Sequence, residues 1–428
     1  MQPFEAGPSH QEIEAEFQDW VLAQGCLWSL FWEMTYRCNE RCVHCFNPGA
    51  AHSEQQKPKR DTAELTTAEA LRMIDDAYTA GVFKVCLSGG EVLVRKDFFE
   101  IVEHIRKKRM QLTIYTNGLL FDDEALIRLA SCWPTQVGIS IYSANPAIHD
   151  AITKVPRSHQ RSVAALKKLR ALGVRTSLKA AVMDQAVQGW QALEQLARDV
   201  DANFQMDIQM TAGNDGAREP MQLNIQSHAE LVALAVTKGS STFVGDADNN
   251  FGRISWPKDE PVCGAGRSTL AVNPEGDVYT CVALPIVVGN VGEELLSDLW
   301  RGSKYGIRAD QPATRLSRFQ GIHLSDYPEC GKHDHCEWCT KCPGMGFVET
   351  TDPLAPSDVQ CRFAAARMTA AKLLEAGETR ETILEKFGVP PDFGTRLEPR
   401  PAKHSTQTVT FDPRAIGDRK LDVRKTSP

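Results

Sequence analysis

Between Ser29 and Thr211, short apolar runs alternate with longer segments whose apolar residues recur at helical spacing. This alternation is typical of βα units arranged around a parallel sheet. The pattern predicts six such units, which are too few for a closed eight-stranded barrel. The predicted strands are Ser29–Tyr36, Lys84–Ser88, Gln111–Thr116, Gln136–Ile141, Thr176–Val182 and Asn203–Thr211.

Helices are predicted between these strands, and the first begins at a capping box in which Thr66 precedes Glu69 by three residues. The long polar loop Asn47–Leu65 interrupts the pattern, and loops of this length are more often functional or mobile than structural. Two further helices are predicted later in the chain, at Ser227–Lys238 and Arg362–Phe387. The helices predicted between the strands are Thr67–Ala80, Asp97–Lys108, Asp122–Ala130, Ser158–Leu172 and Trp190–Val200.

The composition changes in the last third of the chain, because residues 263–361 are rich in glycine, proline and cysteine and lack long periodic runs. Such a segment is expected to be held together by metal rather than by a large core. The predicted organisation is an N-terminal extension at residues 1–28, an α/β domain at 29–235, a linker at 236–262, a cysteine-rich domain at 263–365, and a helix with a flexible tail at 366–428.

The chain has 428 residues, of which 42% are hydrophobic and 24% charged, with a net charge of −7. This composition is typical of a globular protein. No apolar stretch approaches the ~18 residues that a membrane span needs, and the N-terminus lacks a signal-peptide pattern. We therefore expect a cytoplasmic protein without a membrane partner. The acidic balance also gives no support for a nucleic-acid partner, which would require concentrated Lys and Arg.

Thirteen cysteines favour metal or redox chemistry, since a cytosolic chain does not keep them as disulfides. Cys38, Cys42 and Cys45 form the pattern C-x3-C-x2-C directly after the first predicted strand. Three thiolates on one loop suit a [4Fe–4S] cluster whose fourth iron stays open to a small molecule. A zinc site and free thiols packed in a core are the alternatives. Cys86, inside the second predicted strand, is expected to be a small core residue. Cys132, at a helix end, is also expected to pack, with donation of a hydrogen atom in radical quenching as the alternative.

Over residues 29–212 the chain resembles the radical S-adenosylmethionine superfamily, whose members carry C-x3-C-x2-C after the first strand of a partial barrel. The resemblance implies a TIM-like partial (βα)6 barrel in which Cys38, Cys42 and Cys45 hold a [4Fe–4S] cluster. It also implies that S-adenosylmethionine binds the open iron and is cleaved reductively to a 5′-deoxyadenosyl radical. His44 occupies the usually aromatic position before the third cysteine, where a ring packs near adenine; a surface histidine would look the same.

The run Ser88-Gly89-Gly90-Glu91 ends the second predicted strand and looks like the GGE motif of the superfamily. Paired glycines let the backbone approach a ligand, and a carboxylate accepts hydrogen bonds from an ammonium group. The motif therefore suits the methionyl amine of S-adenosylmethionine. Val92 follows where the superfamily often has proline, a departure that leaves the glycines and the carboxylate intact. An ordinary turn is the alternative.

Polar residues at the carboxyl ends of the later strands are further candidates, since ligands bind at this end of a parallel sheet. Six residues meet this description: Thr116, Asn117, Ser140, Lys179, Asp207 and Gln209. The first three are candidate contacts to the methionine carboxylate or ribose of the cofactor. The last three alternate in the phase that points into a barrel, so they are candidate catalytic or substrate-binding residues. Capping, turn and solvated strand-end roles are the alternatives.

A second group of cysteines begins with the spacing C-x12-G-x4-C at Cys263, Gly276 and Cys281. This spacing resembles the SPASM domain of peptide-maturing radical S-adenosylmethionine enzymes and extends the resemblance to about residue 365. The resemblance implies one or two auxiliary [4Fe–4S] clusters, with zinc as the alternative for thiolates at such spacing. The candidate ligands are Cys263, Cys281, Cys330, Cys336, Cys339, Cys342 and Cys361.

The later part of this domain departs from the family pattern C-x2-C-x5-C-x3-C, since Tyr327 stands where the first of those cysteines would be. Seven cysteines cannot supply four ligands to each of two clusters. Either one cluster has an open or non-cysteine ligand, or only one cluster exists. His333, Asp334 and His335 are the nearby non-cysteine candidates, and a polar loop is the alternative for each.

A radical generator with auxiliary clusters is equipped to abstract hydrogen from a C–H bond and then to accept an electron from the substrate radical. The resemblance therefore predicts an oxidoreductase that modifies a peptide or protein, for example by forming a thioether or a carbon–carbon cross-link. One alternative is a radical enzyme that acts on a small molecule such as a haem precursor or an amino sugar. The other is a metal-binding scaffold without turnover.

The expected partners are the peptide or protein substrate and an electron donor such as flavodoxin or ferredoxin. The first 28 residues are too few for the separate leader-binding domain that some relatives carry. Substrate docking is therefore expected to depend on a separate leader-binding protein, on the Asn47–Leu65 loop or on the C-terminal tail at 401–428.

Overall fold

The structure is a computed structural model, and it describes residues 16–17, 20–21, 23–47, 64–213, 218–238, 261–301, 316, 320–390 and 392–395. Most of the Asn47–Leu65 loop and all of the C-terminal tail at 401–428 lie outside these residues. Among the helices that are described, none combines the length and the apolar character that crossing a membrane requires.

The centre of the described structure is a nine-stranded sheet with the order β6-β5-β4-β3-β2-β1-β7-β8-β9. The first six strands run parallel to one another and form the predicted partial (βα)6 barrel. On the other side of β1, β7 continues the parallel arrangement, whereas β8 and β9 are antiparallel. The strands are β1 (Ser29–Glu33), β2 (Lys84–Ser88), β3 (Gln111–Thr116), β4 (Gln136–Ser140), β5 (Thr176–Ala181), β6 (Asn203–Asp207), β7 (Thr269–Val272), β8 (Asp277–Tyr279) and β9 (Gly289–Asn290).

Helices cover the outer face of the barrel and build the C-terminal part of the described chain. The predicted helix Arg362–Phe387 is instead two helices, because the chain turns at Gly377, where φ is +84°. A short helix before Ser158 was not predicted from the sequence. The helices are α1 (Thr67–Thr79), α2 (Phe98–Lys107), α3 (Asp123–Ser131), α4 (Pro146–Thr153), α5 (Ser158–Ala171), α6 (Trp190–Asp199), α7 (His228–Lys238), α8 (Leu296–Arg301), α9 (Pro343–Thr350), α10 (Asp358–Glu375) and α11 (Arg380–Lys386).

Helix α1 begins as the capping box predicts. The Thr66 hydroxyl accepts a hydrogen bond from the Glu69 N–H at 3.3 Å, and the Glu69 carboxylate accepts one from the Thr66 N–H at 2.8 Å. Two N–H groups that a helix start leaves without partners are thereby satisfied. The helix then packs its apolar residues, which are Ala70, Met73, Ile74 and Ala77, into the core.

The alternation of side chains along the strands gives the barrel two distinct faces. Val85, Leu87 and Ile114 point outward and are buried in the main core, which the surrounding helices share. Their neighbours in sequence point inward, and the strand register places them side by side, as in the pairs Phe31–Cys86 and Ser140–Lys179. The partly exposed inner face is therefore the surface available to a ligand.

Strand β7 attaches the cysteine-rich segment directly to the barrel. Leu30 of β1 pairs with Leu270 of β7, and the hydroxyl groups of Ser29 and Thr269 lie 3.0 Å apart. The second cysteine region therefore extends the barrel sheet instead of forming an independent sheet. This continuity fixes its position relative to the first cysteine loop, which follows the carboxyl end of β1.

Candidate active site

The loop after β1 carries the three cysteines Cys38, Cys42 and Cys45. Helix α4 holds this loop in place through the backbone. The N–H of Arg41 donates to the carbonyl of Thr153 at 2.9 Å, and the N–H of Val43 donates to that of Ile152 at 3.0 Å. The helix that sequence patterns missed is therefore a support of the cysteine loop.

Burial keeps the thiols of Cys38 and Cys42 protonated at neutral pH when nothing binds them. Burial raises the pKa of Cys38 to about 12, and the carboxyl groups of Glu91 and Glu40 add to the effect. Burial also raises the pKa of Cys42, whose thiol donates to Glu40 at 3.3 Å. Binding of a metal cluster must therefore displace protons. Three soft sulfur donors on one loop fit a [4Fe–4S] cluster with one open iron.

The paired glycines of the GGE motif press directly on the backbone of the cysteine loop. A Cβ atom on Gly90 would lie 2.3 Å from the carbonyl oxygen of Arg37, and one on Gly89 would lie 2.4 Å from that of Thr35. The N–H of Gly90 also donates to the Thr35 carbonyl at 2.6 Å. The absence of side chains at these two positions lets the end of β2 support the cysteine loop, a role that comes in addition to any contact with a ligand.

The same contact explains why β1 is shorter than predicted. The sequence pattern extends the strand to Tyr36, but the ladder ends at Glu33, since the following backbone turns to meet the GGE motif. Tyr36 remains close, and its hydroxyl donates to Glu33 at 3.3 Å. Burial raises the pKa of Glu33 to about 8, so this carboxyl group is largely protonated at neutral pH.

Glu91 is fully buried and links the ends of β2 and β3. Its carboxylate accepts hydrogen bonds from the Thr116 hydroxyl at 2.6 Å, the Asn117 N–H at 2.8 Å and the Leu93 N–H at 3.2 Å. Burial raises the pKa of Glu91, and these hydrogen bonds counteract that effect. Three of the predicted cofactor-binding residues thus form one connected unit.

Asn117 joins this unit to the cysteine loop. Its side-chain amide donates to the Asn39 side chain at 2.7 Å and lies 3.9 Å from the sulfur of Cys38. The carbonyl of Asn117 accepts from the Ser162 hydroxyl at 2.7 Å, which fixes the turn after β3. A ligand bound beside the Cys38 sulfur would therefore lie next to the side chain of Asn117.

His44 contacts a group of rings at the end of β4. The His44 ring lies edge-on to Tyr142 at 4.4 Å, and the Tyr142 hydroxyl forms a hydrogen bond with Ser140. The N–H of Tyr142 donates to Nδ1 of His149 at 3.1 Å. Burial lowers the pKa of His149 to about 4, so its ring is neutral. Sequence reasoning missed Tyr142 and His149, although Tyr142 lies in the strand-end run that includes Ser140.

Lys179 and Asp207 lie on the inner face of the barrel, as their phase predicts. The Lys179 ammonium group sits 3.4 Å above the ring centroid of Tyr115, whose hydroxyl forms a hydrogen bond with Cys86. Burial lowers the pKa of Lys179 and raises that of Asp207. Cys86 therefore faces the interior of the barrel rather than the core beneath the helices. Gln209 follows the end of β6, and its N–H donates to Asp207 at 2.9 Å.

In the second region, three of the cysteines are brought together by close backbone contacts. This three-cysteine group consists of Cys263, Cys281 and Cys342. The N–H of Gly266 donates to the carbonyl of Thr280 at 3.1 Å, beside Cys281. A Cβ atom on Gly344 would lie 2.2 Å from the carbonyl oxygen of Ala283, which places the Cys342 turn against the Cys281 turn. Burial raises the pKa of Cys342 to about 12, and the other two thiols contribute.

The remaining cysteines lie together where a turn packs against α10. This four-cysteine group consists of Cys330, Cys336, Cys339 and Cys361. Trp338 and Cys339 of the turn pack against Ala364 of α10, the helix that carries Cys361. Burial raises the pKa of Cys361 to about 11, and the other three thiols of the group add to this increase. The structure thus divides the seven cysteines into three and four.

Tyr327, which replaces a family cysteine, lies between the two groups. Its side chain is 6% exposed, and its buried hydroxyl has no hydrogen-bond partner among the described residues. Burial raises its pKa, and thiols of both groups add to the effect, namely Cys342, Cys330, Cys263 and Cys339. A buried hydroxyl without a hydrogen-bond partner lowers the stability of the fold by about 1–3 kcal/mol. Its presence here indicates that a further polar group binds beside it.

The non-cysteine candidates lie at the edge of the four-cysteine group. The rings of His333 and His335 stack with centroids 5.4 Å apart, next to Asp334. The Nε2 atom of His335 is buried without a described partner. Across the described ranges, no three side chains of His, Cys, Asp or Glu converge on the position of a single metal ion.

Comparison with known families matches both cysteine regions. The model described as "Radical SAM superfamily" matches residues 32–197, and that of SPASM, an iron-sulfur cluster-binding domain, matches residues 263–343. The chain therefore belongs to the radical SAM superfamily and carries a SPASM domain, and it is a radical SAM enzyme. Membership implies a [4Fe–4S] cluster with S-adenosylmethionine, together with auxiliary iron–sulfur clusters in the SPASM domain.

Several curated relatives span most of the chain. Mycofactocin maturase MftC of Mycolicibacterium smegmatis is 29% identical over 78% of this chain and 82% of its own length. PqqA peptide cyclase of Gluconobacter oxydans is 26% identical over 76% and 89%, respectively. The AdoMet-dependent heme synthase of Methanosarcina barkeri is 24% identical over 76% and 93%. Among solved structures, anSMEcpe with bound AdoMet and Kp18Cys peptide shares the fold, with a TM-score of 0.58 and 14% identity over 84% of this chain and 99% of its own.

Proposed function

We propose that the protein is a peptide-modifying oxidoreductase that abstracts hydrogen from a peptide or protein substrate and forms an oxidative modification, such as a thioether or a carbon–carbon cross-link. The observation that carries this proposal is the position of the second cysteine region on the barrel sheet. Strand β1 leads into the Cys38 loop and pairs with β7, which in turn pairs with β8, where Tyr279 precedes Cys281 by two residues. An electron acceptor in the second region would therefore be joined to the site of radical formation through one continuous sheet.

The names of two relatives support the same assignment. One is named a peptide cyclase, and the other is named a mycofactocin maturase. A cyclase that joins two carbon atoms of a peptide must remove hydrogen from its substrate, and the electrons need an acceptor. Auxiliary clusters beside the barrel meet that need, whereas an enzyme that only generates a radical does not require them.

In this proposal, Cys38, Cys42 and Cys45 hold the cluster at the barrel, and the three-cysteine and four-cysteine groups each hold an auxiliary cluster. When bound, the barrel cluster and S-adenosylmethionine supply a 5′-deoxyadenosyl radical. The residues proposed to surround the cofactor are His44, Ser88, Gly89, Gly90, Glu91, Thr116, Asn117 and Ser140. Glu91 would accept from the methionyl amine, because its carboxylate is buried and already held in place by three donors.

The inner face of the barrel provides the groups that would handle the substrate. A C–H bond loses one hydrogen atom, and the substrate radical then loses one electron and one proton as the new bond forms. Asp207 faces the interior and is the proposed acceptor of that proton. Lys179, held over the Tyr115 ring, would orient a carboxylate or carbonyl group of the substrate.

A second candidate is oxidation of a tetrapyrrole, which the similarity to an AdoMet-dependent heme synthase favours. The carboxylate groups of a haem precursor would also match Lys179. The two candidates share the radical chemistry and differ in the substrate that enters the barrel.

One experiment separates them. Anaerobically reconstituted full-length protein is incubated with S-adenosylmethionine, a reductant, and either a precursor peptide encoded by a neighbouring short reading frame or a haem precursor. We expect the peptide to lose two hydrogen atoms in step with 5′-deoxyadenosine formation. Turnover of the tetrapyrrole alone would overturn the proposal in favour of the second candidate. The Cys38→Ala, Cys42→Ala, Cys45→Ala triple variant should form no 5′-deoxyadenosine, and retained formation would exclude these residues as ligands.

A further inference from the structure

Lys341 is a buried cation that lies between Cys339 of the four-cysteine group and Cys342 of the three-cysteine group. Its side chain is 3% exposed, and its ammonium group donates to the carbonyl of Cys336 at 2.9 Å. The backbone at Lys341 has φ of +46°, a left-handed conformation that residues other than glycine adopt only at an energetic cost. The surrounding structure therefore holds this residue, and its charge, at a defined place.

The described structure gives Lys341 no negative partner. No carboxylate oxygen of the described residues lies within 4 Å of its ammonium group, and its one hydrogen bond is to a neutral carbonyl. Lys332, nine residues earlier in the cysteine-rich part of the chain, differs in both respects: it is 57% exposed and lies 3.0 Å from the Glu329 carboxylate. Burial of an unpaired charge is costly, so a buried ammonium group indicates an anion that belongs beside it.

The contacts of Lys341 identify that anion. Its ammonium group donates to the carbonyl of Cys336, and Lys341 follows Cys339 by two residues, so two members of the four-cysteine group lie beside it. Arg367 is a second buried cation, and it lies on α10, the helix that carries Cys361. Two cations from different elements thus lie beside the four-cysteine group. Four thiolates around an iron–sulfur cluster leave the whole assembly with net negative charge.

We propose that Lys341 is the counter-charge of the cluster held by the four-cysteine group, and that it raises the reduction potential of this cluster above that of the cluster at the three-cysteine group. Reduction by one electron adds one negative charge to the assembly, and a fixed ammonium group stabilises the reduced form more than the oxidised form. An electron that leaves the substrate then reduces the cluster of the four-cysteine group in preference to the other auxiliary cluster. This inference rests on the division of ligands in the proposed function.

The test compares variants of the full chain in which the barrel cysteines Cys38, Cys42 and Cys45 are replaced by alanine, so that only auxiliary clusters are present. Midpoint potentials are measured by dithionite titration with redox mediators, followed by electron paramagnetic resonance. Lys341→Met, which keeps the length of the side chain, should lower one of the two potentials and leave the other unchanged. Lys341→Arg should retain the original value. Lys332→Met is the matched control, and it should change neither potential.

An unchanged pair of potentials in Lys341→Met, with about eight irons per chain retained, would overturn the inference. If Lys341→Met instead loses about four irons, Lys341→Arg and Lys341→Gln decide the outcome. Restored iron with arginine but not with glutamine supports a need for positive charge, whereas full iron and the original potentials with glutamine overturn it. Because no substrate is present, failure to modify a peptide would leave these results unaffected.

Discussion

The two cysteine regions place their thiols among charges of opposite sign. At the barrel loop, the carboxyl groups of Glu40 and Glu91 act on the Cys38 thiol, and both raise its pKa. At the four-cysteine group, the buried cations Lys341 and Arg367 lie beside the thiols, although the Glu329 carboxylate also acts on Cys330. Negative surroundings disfavour an added electron, and positive surroundings favour one. With the clusters placed as we propose, the barrel cluster would be the weaker electron acceptor and the four-cysteine cluster the stronger one.

The regions also share one construction device. In each, a glycine lies against a backbone carbonyl within two residues of a cysteine: Gly90 contacts the carbonyl of Arg37, and Gly344 contacts that of Ala283. Both contacts are closer than any Cβ atom allows. A single added methyl group should therefore damage one region at a time, which makes the two sites separable by mutation.

The largest effect is expected from Gly90→Ala. The new Cβ atom would lie 2.3 Å from the carbonyl oxygen of Arg37, and since that atom belongs to the backbone, the turn that carries Cys38 must move. We expect the loss of about four of twelve irons per chain and of all 5′-deoxyadenosine formation. Iron analysis and chromatography of reconstituted protein measure both quantities. Normal iron content with normal cleavage would show that the close contact does not position the loop.

A smaller effect is expected from Gly344→Ala. Its Cβ atom would lie 2.2 Å from the carbonyl oxygen of Ala283, so Cys342 should be displaced from Cys281. We expect the loss of one auxiliary cluster while cleavage of S-adenosylmethionine without substrate persists at more than half the original rate, because the barrel loop is untouched. The measurements are iron content and 5′-deoxyadenosine formation.

Gly264→Ala serves as the control for both variants. Gly264 adjoins Cys263, yet among the described residues other than its two chain neighbours, no atom lies within 4 Å of the position that its Cβ would occupy. It should retain all irons and full cleavage activity. Loss of iron in this control would mean that any change near a cysteine disturbs assembly, and the comparison between the two glycine contacts would then fail.

The features that the sequence predicts well are those that depend on local spacing. Six strands begin at the predicted residues, and the capping box at Thr66 forms, because periodicity and capping act within one element. The pairing of β7 with β1 joins residues 240 positions apart, as the Ser29–Thr269 contact shows, and no local pattern encodes it. Helix α4 was missed because it is short, although Asn145 caps it and Pro146 begins it.

The division of the seven cysteines was also beyond sequence reasoning. Cys336, Cys339 and Cys342 follow one another at equal spacing, which suggests a single group. The left-handed backbone of Lys341 instead turns the chain between Cys339 and Cys342, so the last cysteine joins Cys281. The left-handed conformation of a residue other than glycine cannot be predicted from the spacing of the cysteines on either side of it.

The smallest effect, Tyr327→Phe, tests whether a cluster lies beside the hydroxyl between the two groups. In cluster-free protein this hydroxyl has no described partner, so its removal should stabilise the fold by about 1 kcal/mol. In reconstituted protein the same change should be neutral or destabilising, because the hydroxyl then donates to the cluster. Thermal unfolding of both forms measures the difference. Tyr279→Phe is the matched control: its hydroxyl accepts from Asn273 at 2.9 Å, so this variant should be destabilised in both forms. Equal shifts for Tyr327→Phe in the two forms would place the cluster away from that hydroxyl.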